Sequence, residues 1–373
     1  MISNNSFFSF HKPFTATFIF FALFIASLAI IPARFFVRTP EILSFDKLQP
    51  THSSIYINEN ILKQKIKQGL PDWAMQQIKQ DLAPFKAFNI ANIEHYHSDP
   101  DFKMLGRFQI ANGVVMPILH EKLDILPSYK TLLDMLQYLA RHGYVTNTNF
   151  LVGLGEYFSP SQKLPIPVFA FAKDLNKPFE KDLIMIPDWI NLGKVTEFRE
   201  RIYQAKKKYP WETKTPILFW RGGEADSSGF RHKLVLLAQR KPALIDAKFV
   251  TLQQGYVPPE EHLKYKYLIS IDGVRCAWTR LVWHLHSNSL VFKPYSTQIQ
   301  WFYNGIKPYQ HYIPIQDEET LIQQIQWANS HPDEAKQITD NASQFIEDNL
   351  SLEDMYHYMI VLLNEYKKLT QSS

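Results

Sequence analysis

The sequence predicts an α/β protein with parallel sheet, organised in more than one domain. Three observations point there. From residue 217 to residue 315, short apolar runs alternate with helical stretches, the pattern of parallel strands joined by helical crossovers. Several of those runs end in glycine, as Trp220 leads into Arg221-Gly222-Gly223 and Ile271 into Asp272-Gly273. A chain of 373 residues also exceeds what one hydrophobic core ordinarily serves.

Taken in order, the chain begins with an uncharged run from Phe14 to Ala33. Its length, about 20 residues, is that of a bilayer-spanning helix. The run closes on Ile31-Pro32-Ala33-Arg34, a poor cleavage site, so a retained N-terminal transmembrane helix over 1–36 is expected rather than a removed signal. Lys12 lies before it, and Arg34, Arg38 and Lys47 lie after it, which tilts the body towards the cytoplasm. The single cysteine, Cys276, rules out an internal disulfide and points the same way. The triplets Asn341-Ala342-Ser343 and Asn349-Leu350-Ser351 keep a lumenal or periplasmic side open. Residues 37–70, with Pro40 and Pro50, read as a polar tether.

A first domain is expected over 71–210. A helix starts at Asp72, with Trp73, Ile78 and Leu82 on one face, and Phe108 to Val115 reads as a hairpin turned at Asn112-Gly113. Ser128 to His142 is a helix stopped by Gly143. Buried strands follow at 150–154 and 168–172, then an apolar run from Asp182 to Trp189 and a basic helix over 196–209. Pro210-Trp211 marks the boundary. The second domain, 211–330, predicts strands at 217–220, 243–249, 267–271, 289–293 and 312–315, with helices at 230–240, 259–265, 277–287 and 298–304. Residues 331–373 are expected as helices packing back across the domains, broken near Leu350-Ser351.

A formal charge of +4 is too small to indicate nucleic acid, and 46% hydrophobic content with 20% charged residues is ordinary for a globular chain. The chemistry concentrates between Trp220 and Tyr312. Arg221-Gly222-Gly223 after a strand lets backbone approach a ligand, and a helix N-terminus behind it offers N–H groups to phosphate. Arg231 and Arg280 are each able to clamp a phosphate bidentately. On its own each of these features also fits a turn or a surface arginine. Glu156, just past a buried strand, sits where α/β folds place ligands and is suited to deprotonating a hydroxyl, although from the residues alone a solvated loop carboxylate is the better reading. No metal site is expected: Asp99-Pro100-Asp101 reads as a loop, and the pairs His95/His97 and His284/His286 lack the i, i+4 spacing. Phosphate-loop, dinucleotide-fingerprint, G-x-S-x-G and H-E-x-x-H patterns are absent from the sequence.

Several of these segments together resemble glycosyltransferase family 90. They are Leu218-Phe219-Trp220-Arg221-Gly222-Gly223 with Arg231, Tyr267-Leu268 with Asp272-Gly273 and Arg280, Ser289-Leu290-Val291-Phe292-Lys293, and Lys307-Pro308-Tyr309-Gln310-His311-Tyr312. Pro167-Val168-Phe169, Ile186-Pro187-Asp188-Trp189 and Gln344-Phe345-Ile346 are similar too, and the likeness runs over roughly 80–350. It implies a GT-B-like architecture, with two Rossmann-like domains and an interdomain cleft. It also implies inverting, metal-independent transfer from a UDP-sugar, with no cofactor beyond that co-substrate. Carried over by position, Arg221, Gly222, Gly223, Arg231, Gly273, Val274, Arg280 and Ser289 would line the nucleotide-sugar site. The catalytic base would be Glu156, where the family has aspartate, with Asp174 and Asp188 as fallbacks. The missing disulfide cysteines favour a bacterial-type member. The expectation is therefore a membrane-anchored glycosyltransferase of the bacterial inner membrane, taking glucose or xylose to a surface glycan or glycolipid such as lipopolysaccharide core, with no nucleic-acid partner. The glutamate also leaves room for an inactive glycan- or nucleotide-binding relative, or a membrane-tethered assembly factor.

Overall fold

The structure, a computed structural model, describes residues 57–85, 88–251 and 254–371. The apolar run at 14–33 lies outside them. Among the described residues no helix is long and apolar enough to cross a membrane.

Two five-stranded sheets carry the molecule. The first has the order β2-β1-β3-β4-β6, from β1 (Leu105–Ala111), β2 (Val114–Ile118), β3 (Thr148–Gly153), β4 (Val168–Ala170) and β6 (Ile184–Met185). It is mixed: β3, β4 and β6 run parallel, while β1 is antiparallel to both β2 and β3. The Asn112-Gly113 turn has both residues at positive φ, 51° and 75°, as a two-residue hairpin of this hand requires. The Rossmann-like expectation therefore holds for the parallel strands and fails for the hairpin that extends them.

The second sheet is wholly parallel, with β7 (Thr215–Gly222), β8 (Ile245–Phe249), β9 (Tyr265–Ile269), β10 (Leu290–Pro294) and β12 (Ile313–Ile315) in the order β12-β10-β9-β7-β8. Its strands, counted along the chain, therefore lie 2-1-3-4-5, a doubly wound arrangement. Burial on both faces explains the near-continuous apolar runs that announce these strands in the sequence.

Eleven helices surround the sheets among the described residues: α1 (Glu59–Gln68), α2 (Asp72–Leu82), α3 (Ala91–Ser98), α4 (Pro127–Arg141), α5 (Trp189–Lys208), α6 (Phe230–Arg240), α7 (Pro259–His262), α8 (Thr279–His286), α9 (Glu318–Ser330), α10 (Pro332–Asn349) and α11 (Leu352–Gln371). In α4, Leu132, Met135, Leu136 and Leu139 recur at helical spacing and are all buried. The last helix, α11, packs on the first sheet. Its Tyr366 hydroxyl donates to the Asn149 carbonyl at 2.8 Å, and its Tyr358 hydroxyl to the Met185 carbonyl at 3.3 Å.

Three local expectations differ from the structure. Part of the stretch read as tether is helix α1, docked on α11 by Asn58 N–H to Glu353 at 3.0 Å and by Lys65 to Asp354 at 2.5 Å. Helix α5 begins seven residues early, because Asp188 caps it by accepting from the Asn191 N–H at 2.9 Å. The helix expected at 298–304 is instead a two-residue strand, β11 (Gln298–Ile299), paired with β5 (Lys173–Asp174), followed by a single 3-10 turn at Tyr303–Gly305. Pairing with a distant strand outweighed the local apolar spacing there.

Candidate functional site

In the second sheet the chain leaves β7 towards β8 on one side and leaves β9 towards β10 on the other. The order thus reverses between β7 and β9, and past their carboxyl ends lies the place where folds of this kind form their ligand crevice. Gly222 and Gly223 leave β7 there, and Ser270 to Gly273 leave β9. Helix α6 supplies Arg231 and helix α8 supplies Arg280. Their guanidinium carbons lie 5.7 and 6.0 Å from the ring of Trp220. Removal from water, then repulsion from Arg231, lowers Arg280 to about 9, and its Nη1 is buried without a partner. Arg231 is lowered too, by burial, against the pull of Asp226 and Asp272. Two neighbouring guanidiniums held partly out of water favour an anion beside them.

Arg231 also ties the two sides of the crevice together. Its Nη1 donates to the carbonyls of Gly223 (2.8 Å) and Ala225 (2.9 Å), and its Nη2 to that of Ile271 (3.3 Å), while its Nε has no partner. The glycines have specific reasons to be glycine. A Cβ on Gly222 would come within 2.5 Å of the Trp220 ring and 3.0 Å of Arg280 Nη1; one on Gly273 would lie 3.3 Å from Arg231 Nη2. At Gly223 a Cβ would meet nothing within 4 Å. Val274 is half exposed at the same rim.

The structure places other expected residues elsewhere. Arg221 is taken by Asp246 of β8: Nη2 donates to both carboxylate oxygens at 2.8 and 2.9 Å, and Nη1 donates to the Asp246 and Trp220 carbonyls. Ser289 lies at the opposite, amino end of β10. It donates to the Tyr265 carbonyl at 2.8 Å and accepts from Lys214 Nζ at 2.9 Å. Burial lowers that lysine to about 7, so Ser289 belongs to a structural plug under the sheet. The N-terminus of α6 is occupied as well. Asp226 accepts from the N–H groups of Gly229 (3.0 Å) and Arg231 (2.9 Å), so the helix end holds this chain's own carboxylate where a phosphate was expected.

From the first sheet, β3 delivers Leu154-Gly155-Glu156. Glu156 is partly buried and accepts a hydrogen bond from Trp278, which follows β9. Loss of water raises its carboxyl above the usual range; the Trp278 bond opposes this and the Asp188 charge adds to it. Trp278 reaches Glu156 from a backbone at φ 49°, ψ −131°, a conformation that ordinary side chains rarely adopt. Of the fallback carboxylates, Asp188 is fully buried and saturated by the Asn191 N–H, the Asn191 amide and Gln300. Asp174 accepts from Asn176 N–H, Thr297 and Gln298 beside the β5–β11 pair. Both fallback carboxylates are thus held by this chain's own donors.

The loop carrying Trp278 is itself fastened. Arg275, 3% exposed, donates to both oxygens of Glu180 (2.6 and 3.0 Å) and to the Phe158 carbonyl at 2.6 Å. It thereby joins the loop after β9 to the loop that bears Glu156. Sequence reasoning missed Arg275 and Trp278, because their partners are 95 to 122 residues away (Glu180 at 275 − 180, Glu156 at 278 − 156) and no spacing betrays such a contact. It also missed Asp272, although an acid beside Gly273 at the end of an apolar strand was there to be read.

Residues 70–373 match the model of the family described as Glycosyl transferase family 90. Protein O-glucosyltransferase 1 of Bos taurus is 31% identical over 232 residues, 54% of this chain and 57% of that protein. Protein O-glucosyltransferase 2 of Danio rerio is 31% identical over 253 residues, 62% of this chain and 49% of that protein. O-glucosyltransferase rumi of Drosophila melanogaster is 27% identical over 331 residues, 79% of this chain and 76% of that protein. The chain thus matches little more than half the length of the bovine relative.

Proposed function

The chain belongs to glycosyl transferase family 90, and from that premise we propose that it transfers glucose or xylose from a UDP-sugar to a glycan hydroxyl, with inversion. The observation that carries this reading is the pairing of a half-buried carboxylate of raised pKa, Glu156, with the Arg231–Arg280 pair at the β7/β9 switch point. In the proposed step Glu156 takes the proton of the acceptor hydroxyl. The acceptor oxygen attacks the anomeric carbon, and the bond from that carbon to the diphosphate breaks with its electrons leaving on UDP. Arg231 and Arg280 meet the charge that develops there. Because two fixed guanidiniums serve that charge, we expect no divalent metal and no cofactor to be needed.

Glucose is favoured by the relatives, which are O-glucosyltransferases. The acceptor we propose is a surface glycan, lipopolysaccharide core first, met at the bacterial inner membrane with the body on the cytoplasmic side. The apolar run at 14–33 supports that placement, since it would hold the chain beside a lipid-borne acceptor.

The test is release of UDP from UDP-glucose and UDP-xylose in the presence of core oligosaccharide, for wild type and Glu156→Gln, with and without a chelator. Wild type is expected to turn over equally in both buffers. Glu156→Gln should lose on the order of 100-fold or more. Donor binding without turnover in wild type would make this an inactive relative, absence of donor binding would favour an assembly role, and full activity of Glu156→Gln would remove Glu156 as the base.

A further inference from the structure

We propose that Asp272 is the residue that recognises the donor's sugar, accepting hydrogen bonds from its ring hydroxyls. The inference rests on the transferase reading above and adds to it a specificity-determining side chain. Four carboxylates are buried among the described residues: Asp81, Glu180, Asp188 and Asp272. Three are satisfied. Asp81 accepts from Lys173 Nζ at 2.7 Å and from the Met185 N–H at 2.8 Å, Glu180 holds Arg275, and Asp188 caps α5. Asp272, 7% exposed, differs from them: neither of its oxygens has a hydrogen-bond partner. The cation beside it, Lys293 Nζ, stands 4.0 Å from Oδ2, beyond hydrogen-bonding distance.

An unmet buried carboxylate is costly, and a fold tolerates one where a partner arrives from outside. Its surroundings indicate what arrives. The buried hydroxyls of Ser270 and Tyr303 are also unpartnered, and so are Arg231 Nε and Arg280 Nη1. Donors and acceptors are thus both left open in one crevice without satisfying each other. A ligand complementary to them brings anionic oxygens for the arginines and hydroxyl donors for the aspartate. A nucleoside diphosphate sugar carries both, in that order along its length.

The order matches the crevice. Arg231, whose Nη2 bonds the carbonyl of the adjacent Ile271, feels the charge of Asp272. The Tyr303 phenol feels both Asp272 and Asp188, with Lys293 set 5.2 Å from its ring centroid, and Asp188 is in turn felt by Glu156. Asp272 therefore neighbours Arg231 and Tyr303, and in the proposed arrangement it stands between the arginine pair and the base. In the proposed reaction the sugar occupies that interval, between the diphosphate and the attacking oxygen.

The experiment compares binding of UDP and of UDP-glucose to the full chain by calorimetry, for wild type, Asp272→Asn and Asp272→Glu. Wild type should bind UDP-glucose more tightly than UDP. Both variants should keep UDP affinity within about twofold and lose the preference for UDP-glucose by roughly tenfold, the effect of a hydrogen bond to a charged group. If wild type prefers UDP-glucose and both variants retain that preference, Asp272 is not the sugar contact, while the transferase reading survives. Equal binding of UDP and UDP-glucose by wild type would overturn the assignment as well. If wild type binds neither, the transferase reading itself fails. Loss of folding in both variants would give the carboxylate a structural role and overturn the inference.

Discussion

At Glu156 the two opposing influences on the carboxyl can be separated by substitution. Loss of water disfavours its charged form, and the hydrogen bond from Trp278 favours it. As the proposed general base Glu156 must be ionised, so kcat/KM is expected to rise with pH through a pKa above the ordinary carboxylate range and then level off. Trp278→Phe removes the donor and keeps the ring. The folded-state pKa should then climb further, moving the acid limb of the profile to higher pH. An unshifted limb would show that the indole does not set the charge of the base. That Glu156 stands directly past a buried strand was legible in the sequence. Trp278 was not, since only the folded chain brings residue 278 to residue 156. The partner of Arg221 was hidden for a related reason: the sequence displays the Arg-Gly-Gly turn but not Asp246, which holds the guanidinium.

Among the elements, the loop after β9 depends on its clamp. Arg275 and Glu180 are both almost wholly out of water, at 3% and 0% exposure, and their bond is bidentate. Breaking such a pair leaves the buried Glu180 without its guanidinium, with the Asp174 N–H and the half-exposed Lys177 among its remaining partners, so Arg275→Ala is expected to cost about 3 kcal/mol, measured as a shift of the urea midpoint. Replacing both partners by methionine should cost less than the single change, because no orphan charge remains. Helices and strands of this half were well marked in the sequence. Helix α6 begins and ends at the expected residues, since Phe230, Leu234, Leu237 and Ala238 form one buried face. The failure at 298–304 and the filled N-terminus of α6 share a cause: each is settled by a side chain or strand that local periodicity cannot see.

For the whole molecule, the alternation of strands and helices disclosed a parallel sheet but not its order. The order 2-1-3-4-5 is what puts β7 beside β9 and so creates the crevice. Nor did composition reveal that the last helix completes the first sheet. Leu352, Met355, Tyr356, Met359, Leu362, Leu363 and Tyr366 of α11 all belong to the core of that half. A chain ending at residue 350 is therefore expected to lose the cooperative unfolding of the first sheet, even though it keeps every candidate site residue. Near-ultraviolet circular dichroism through a thermal ramp would report it, and a truncated chain that melts like the full one would refute the dependence.

One feature has a bearing on how such a protein changes over generations. Asp272, Gly273, Arg275, Trp278 and Arg280 fall within nine consecutive residues (272 through 280): Gly273 and Arg280 lie beside Arg231, Arg275 holds Glu180 and the Phe158 carbonyl, and Trp278 bonds Glu156. A replacement of that stretch by recombination would change the bond to Glu156 and the surroundings of Arg231 in a single event, while both sheets passed to the descendant unaltered.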